Sequence, residues 1–118
     1  MRTLSPEEET VRAIQDLIEA NRSVRKALRQ NEVILKRALK KLGQGADVPM
    51  TLRAMPADVP RQSANDALEE YTAARHNLRL VLITECLERG VSIGEIGRQW
   101  GFSRQLAARY AKEARSRD

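Results

Sequence analysis

Apolar residues recur at three- and four-residue steps along the first third of the chain. Val11, Ile14, Ile18, Val24, Leu28, Leu35, Ala38 and Leu42 follow this spacing, which is that of one face of an α-helix. "SPEEE", beginning at Ser5, supplies an N-cap serine, a proline at the first helical position and Glu8 three residues after the cap, together a helix start. No proline or glycine then occurs until Gly43. The pattern predicts about 37 helical residues, roughly 55 Å at 1.5 Å each, a coiled-coil-like length. Asn21 and Asn31 fall on the same stripe, where a polar residue fixes register and oligomer state. The steps from Asn21 to Val24 to Leu28 depart from a strict heptad, and a helix packed on its own chain would carry the same stripe. Residues 1–42 are expected to form a long helix that pairs two copies, a homodimerisation arm.

Residues 43–62 break the pattern. "GQG" supplies glycines for a helix end, and Pro49, Pro56 and Pro60 predict a connector without regular structure. "ADVP" occurs at 46–49 and again at 57–60, too short a repeat to mean an architectural one. Residues 63–118 are then expected to be helical. Ser63 is the expected cap of a helix from about Ala64 to Arg89, with a one-sided stripe of Leu68, Tyr71, Ala74 and Leu78. Its last part, "LVLITECL", is apolar on most sides and must be covered from more than one direction.

After Gly90 the pattern shortens. Ser92 and Glu95 are spaced as a capping box, predicting a short helix from about Ile93 to Gln99 or Trp100. Gly101 permits the positive φ of a tight turn. Ser103 caps a last helix, about Arg104 to Arg115. Trp100 and Phe102, the only tryptophan and phenylalanine of the chain, flank that turn, placed to fill the angle between the two helices and seal it against the preceding one. Gly97 is small where the helices should come closest.

Ile93, Ile96, Gly97, Trp100, Gly101, Phe102, Ser103, Ala107 and Tyr110 together resemble the prokaryotic helix-turn-helix DNA-binding regulators, over about 20 residues. The resemblance implies a trihelical fold and sequence-specific binding of double-stranded DNA, most simply in transcriptional control. The fold class expected is all-α: the long N-terminal helix followed by the C-terminal trihelical unit. Ala107, Tyr110, Ala111 and Ala114 would face inward. Arg104 and Gln105 would meet base edges, since arginine bridges guanine O6 and N7 and glutamine bridges adenine N6 and N7. Ala108 would let the helix lie close, and Arg109 would reach base or phosphate. Ser92, Arg98, Ser103 and Lys112 would hold phosphates. The chain leaves no room for a wing after the last helix, so specific binding calls for two such units.

Charge agrees with this placement. Net charge is +5, which by itself permits nucleic acid, an acidic partner or a membrane surface. Residues 91–118 carry six basic and three acidic side chains, against three and five in 63–90. Arginine outnumbers lysine 16 to 5, which suits phosphate and guanine contacts, though a GC-rich genome gives the same bias. Within the long helix, residues 1–21 hold two basic and five acidic groups and residues 22–42 hold eight and one, which favours an antiparallel pairing without deciding it.

The remaining chemistry is sparse. Cys86, the one cysteine, excludes an intrachain disulfide and is expected as a small buried hydrophobe. His76, the one histidine, has no second ligand or catalytic partner nearby, so no metal, cofactor or enzymatic activity is expected. The N-terminus lacks a signal-peptide core, and no apolar run approaches the roughly 20 residues of a membrane span. The expectation is a soluble protein of the bacterial cytoplasm, associated with the nucleoid. Two other functions fit the same residues. One is an architectural DNA-binding protein with little sequence preference. The other is an interaction factor, antitoxin-like or polymerase-associated, that grips a protein partner through the long helix. A phage packaging or recombination accessory factor fits less well.

Overall fold

A computed structural model of the chain describes residues 4–56 and 58–116; residues 1–3 of the expected arm, Ala57 of the expected connector and residues 117–118 lie outside these. The described residues form five helices and no strand: α1 (Pro6–Gly43), α2 (Val48–Ala54), α3 (Asp58–Glu88), α4 (Ile93–Trp100) and α5 (Arg104–Ser116). Among them, no helix is long and apolar enough to cross a membrane. The chain divides into two compact units. One holds residues up to Leu17 and from Ala73 onward, the other Ile18–Thr72.

The 38-residue α1 starts as its sequence dictates. The Glu8 amide donates to Ser5 Oγ at 3.2 Å, and the Ser5 amide donates to Glu8 Oε2 at 3.3 Å, closing the capping box. Glu7, Glu8 and Glu9 lie in the first turn and Lys40 and Lys41 in the last, matching the helix dipole.

The apolar stripe expected on α1 resolves into two. Ala13, Leu17, Ala20, Val24, Ala27, Asn31, Ile34 and Ala38 are buried or half-buried and follow strict alternating steps of four and three. One position further on, Val11, Ile14, Ile18, Leu28, Leu35, Leu39 and Leu42 form a second row, 38–72% exposed. Val24, Asn31 and Ala38 thus belong to the covered row and the other residues of the expected stripe to the open one. Jumping between the rows at Val24 produced the broken heptad.

The expectation that residues 43–62 lack regular structure is corrected. They contain α2 and the start of α3. A helix's first turn has amides without intrahelical partners, so a proline there forfeits nothing. Pro49 and Pro60 sit in such turns. Each Asp-Val-Pro therefore opens a helix. Asp47 caps α2, accepting from the Met50 amide at 3.1 Å. Asp58 is the first residue of α3 and takes Arg61 Nη2 at 3.3 Å. Ser63, expected as the cap of α3, lies inside it for the same reason.

In the Ile18–Thr72 unit, the buried residues come from all three helices: Ala20 and Ala27 of α1, Thr51 of α2 and Ala67 of α3. Thr51 satisfies its hydroxyl by donating to Asp47 O at 2.9 Å.

The other unit has a core of Leu80, Ile83, Ile96, Ala111 and Ala114, with Cys86, Leu87, Val91, Ile93, Trp100 and Tyr110 packed around it. Ile83 and Ile96 are 0% and 2% exposed, so the end of α3, α4 and α5 share one interior. Cys86, expected to be buried, is half-buried at its edge. Gly90, at φ 85°, turns the chain out of α3, and the Val91 amide reaches back to Cys86 O at 2.9 Å. Arg89 donates to Glu85 Oε1 at 2.6 Å and to Glu7 Oε1 of α1 at 3.3 Å. The hydrogen bond to Glu85, reinforced by its charge, raises the Arg89 pKa above the ordinary arginine value.

Candidate nucleic-acid interface

The α4–α5 corner is built from short-range bonds. Ser92 caps α4, accepting from the Glu95 amide at 3.2 Å. Gly101 ends α4 in the left-handed region, φ 70° and ψ 21°, with its amide donating to Gly97 O. A side chain at that φ would be strained. The Phe102 amide donates to the same Gly97 carbonyl at 2.8 Å. Ser103 then caps α5, accepting from the Leu106 amide at 3.1 Å. Three residues, Gly101 to Ser103, thus carry the chain between two helices.

The helices approach closely at Gly97. A Cβ built there would stand 3.1 Å from Phe102 O and 3.6 Å from Ala107 Cβ. Gly94, in the same helix, is different: its Cβ would meet only Arg98 Nη1, at 3.7 Å.

The rings sit where the sequence predicts, but half-buried rather than sealed. Trp100 meets Phe102 edge-on at 5.7 Å, and Phe102 meets Tyr110 at 5.4 Å. The sequence reading missed what braces them. Arg79, from α3, donates Nη1 to Tyr110 Oη at 3.1 Å, and its guanidinium carbon lies 5.2 Å from the Phe102 ring centre. Hydrogen bond and cation–π contact together hold the turn to α3. The sequence signal for this is an arginine between Leu78 and Leu80, where the apolar run that ends α3 begins.

The reading of His76 as partnerless is corrected as well. His76 Nε2 lies 2.8 Å from Glu113 Oε1 on α5, and its ring is 5.7 Å from that of Tyr110. A separation of 37 residues hid this pair from local pattern. It joins α3 to α5 as a structural tie.

With α5 fixed in this way, its two faces differ. Ala107, Ala111 and Ala114 are buried and Tyr110 half-buried. Arg104, Gln105, Ala108, Arg109 and Lys112 are all exposed, and helical spacing puts them together on the outer side. Leu106 is half-buried at the margin. Ser92, Arg98 and Ser103 are exposed too. Ser92, Arg98 and Arg104 line one open hollow, floored by Gly94, Gly97 and Phe102. Both cap hydroxyls already accept from backbone amides, so their O–H groups remain to donate outward. Among the described residues, none of Arg98, Arg104, Arg109 and Lys112 is held in an ion pair. The surface offers several cationic donors and one side-chain amide on a rigid rod, with a small residue between them.

Compared with protein-family models, curated proteins and solved structures, the chain matches none of them.

Proposed function

We propose that this protein binds double-stranded DNA through the α4–α5 corner, acting as a sequence-specific regulator of the helix-turn-helix kind that residues 93–110 resemble. The observation that carries the reading is the outer face of α5, where Arg104, Gln105, Ala108, Arg109 and Lys112 are exposed together while the opposite face is buried. In this reading α5 enters the major groove with its first turn against base edges. Arg104 and Gln105 read bases, Ala108 permits close approach, and Arg109 and Lys112 meet the backbone. Arg98 and the hydroxyls of Ser92 and Ser103 donate to phosphates from the hollow beside the turn.

A selection of bound sequences from a random duplex library tests this. A defined motif is expected. Arg104→Ala combined with Gln105→Ala should erase the motif while leaving the helical signal intact. A double variant that selects the same motif with the same affinity refutes the assigned face.

One observation favours a second reading, an architectural protein with little sequence preference. Arg22, Arg25, Lys26, Arg29, Lys36, Arg37, Lys40 and Lys41 of α1 are all exposed, a second basic surface that belongs to the Ile18–Thr72 unit. Under that reading random DNA competes as well as any sequence, and affinity falls steeply with salt.

A further inference from the structure

We infer that the open row of α1 is an antiparallel self-association surface, on which a second copy of the chain aligns Val11 with Leu42, Ile14 with Leu39 and Ile18 with Leu35. This stands independently of the DNA reading. Because α1 is one unbroken helix, the row is a property of that element alone. The covered row of α1 is already occupied within the chain, whereas the open row exposes Val11, Ile14 and Ile18 towards one end and Leu35, Leu39 and Leu42 towards the other, Leu39 at 72%, with Asn21, Arg25 and Glu32 interrupting it around Leu28. Clusters of exposed large apolar side chains of this kind mark an association site.

Two features of the helix select a second copy as the occupant. The first is self-match. The open row runs 11, 14, 18, 21, 25, 28, 32, 35, 39 and 42 in alternating steps of three and four, the spacing of a coiled-coil seam. Reversed upon itself with Val11 beside Leu42, it brings every apolar residue of its first part against an apolar residue of its last part. The polar positions fall on each other as well, Asn21 beside Glu32. Arg25 lies beside Leu28, its stem able to cover the leucine while the guanidinium stays in water.

The second feature is charge. The first half of α1 carries Glu7, Glu8, Glu9, Asp16 and Glu19, and the second half carries eight of the helix's basic residues. A parallel pair would set all eight against their own copies. The antiparallel pair sets Lys36, Arg37, Lys40 and Lys41 beside the acidic half. Arg22, Arg25, Lys26 and Arg29 meet their own kind at the centre and Lys41 meets Arg12 towards each end, all at exposed positions where salt screens them over about 8 Å.

The test uses the full chain. Sedimentation equilibrium is expected to show a dimer. Leu35→Glu with Leu39→Glu should raise its dissociation constant about a hundredfold or more, because each charge would enter an apolar layer. Both leucines are exposed, so the helical signal should persist. Direction is read separately by pulsed electron resonance on Cys86→Ala chains carrying one spin label. A label on Arg12→Cys should report roughly 43 Å between copies, and one on Lys26→Cys under roughly 20 Å, from the 1.5 Å rise per residue. A chain that stays monomeric overturns the inference, including the case where the row holds a different protein. So does a dimer indifferent to the two glutamates, or a short distance at both labels, which would mean parallel helices.

Discussion

Two glycines three residues apart in α4 should respond differently to the same substitution. Replacing a helical glycine by alanine removes backbone entropy from the unfolded chain and gains about 1 kcal/mol. At Gly94 nothing opposes the gain, since the new methyl would meet only the end of the Arg98 side chain at 3.7 Å. Gly94→Ala should therefore stabilise by up to about 1 kcal/mol. At Gly97 the methyl would stand 3.1 Å from the Phe102 carbonyl. That carbonyl has little room to retreat. The Phe102 amide is tied to Gly97 O at 2.8 Å, and its ring is flanked by Trp100, Tyr110 and Arg79. Overpacking of this kind costs about 1–3 kcal/mol. Gly97→Ala should then range from neutral to about 2 kcal/mol destabilising, and Gly97→Val should be worse. The assay is thermal unfolding followed by circular dichroism, in which 1 kcal/mol moves Tm by about 3–6 °C for a chain of this size. Both alanines gain the same helix propensity, so the difference between them isolates the close approach. If Gly97→Ala raises Tm as far as Gly94→Ala does, the α4–α5 corner is more open than described, and the reasoning fails.

Two further outcomes follow from other parts of the corner. If the proposed interface holds, Lys112→Ala should weaken binding to all duplexes alike and lower the slope of log affinity against log salt by about 1, read from a titration series, since that proposal gives Lys112 one phosphate contact. Arg79→Met keeps the length of the stem but loses the hydrogen bond to Tyr110 and the charge over Phe102; urea unfolding should show a loss of about 1–2 kcal/mol, and a cycle with Tyr110→Phe should show coupling of at least about 0.5 kcal/mol.

The elements that could be read from sequence are those set by neighbours in the chain. The caps at Ser5, Ser92 and Ser103, the turn at Gly101 and the two faces of α5 all depend on residues within four or five positions, and the helices stand at or within a residue or two of where these signals put them. Proline misled the reading, because its meaning depends on helix position. Pro49 and Pro60 look like breakers until their place in a first turn is known. The apolar stripe of α1 misled it differently. Two rows one residue apart share the three- and four-step spacing, and only knowing which side is covered separates them. The bonds of Arg79 to Tyr110 and of His76 to Glu113 join residues 31 and 37 apart. No periodicity reports a pairing at that range. The exposed donors of the candidate site were legible because a solvent-facing stripe on an amphipathic helix is what remains once the alanine face is identified.

The arginine held over the rings of Phe102 and Tyr110 bears on how positive charge should be counted in this chain. Arg79 adds one unit to the formal total, yet its cation is engaged with aromatic faces and a phenol at the root of α5. Neither a neutral phenol nor a ring quadrupole cancels a unit charge, so position 79 still adds to the field around the molecule. What it lacks is reach: with its guanidinium fixed against a ring and a hydroxyl, it keeps the last helix at a set angle and leaves direct contact with an anion to other basic groups.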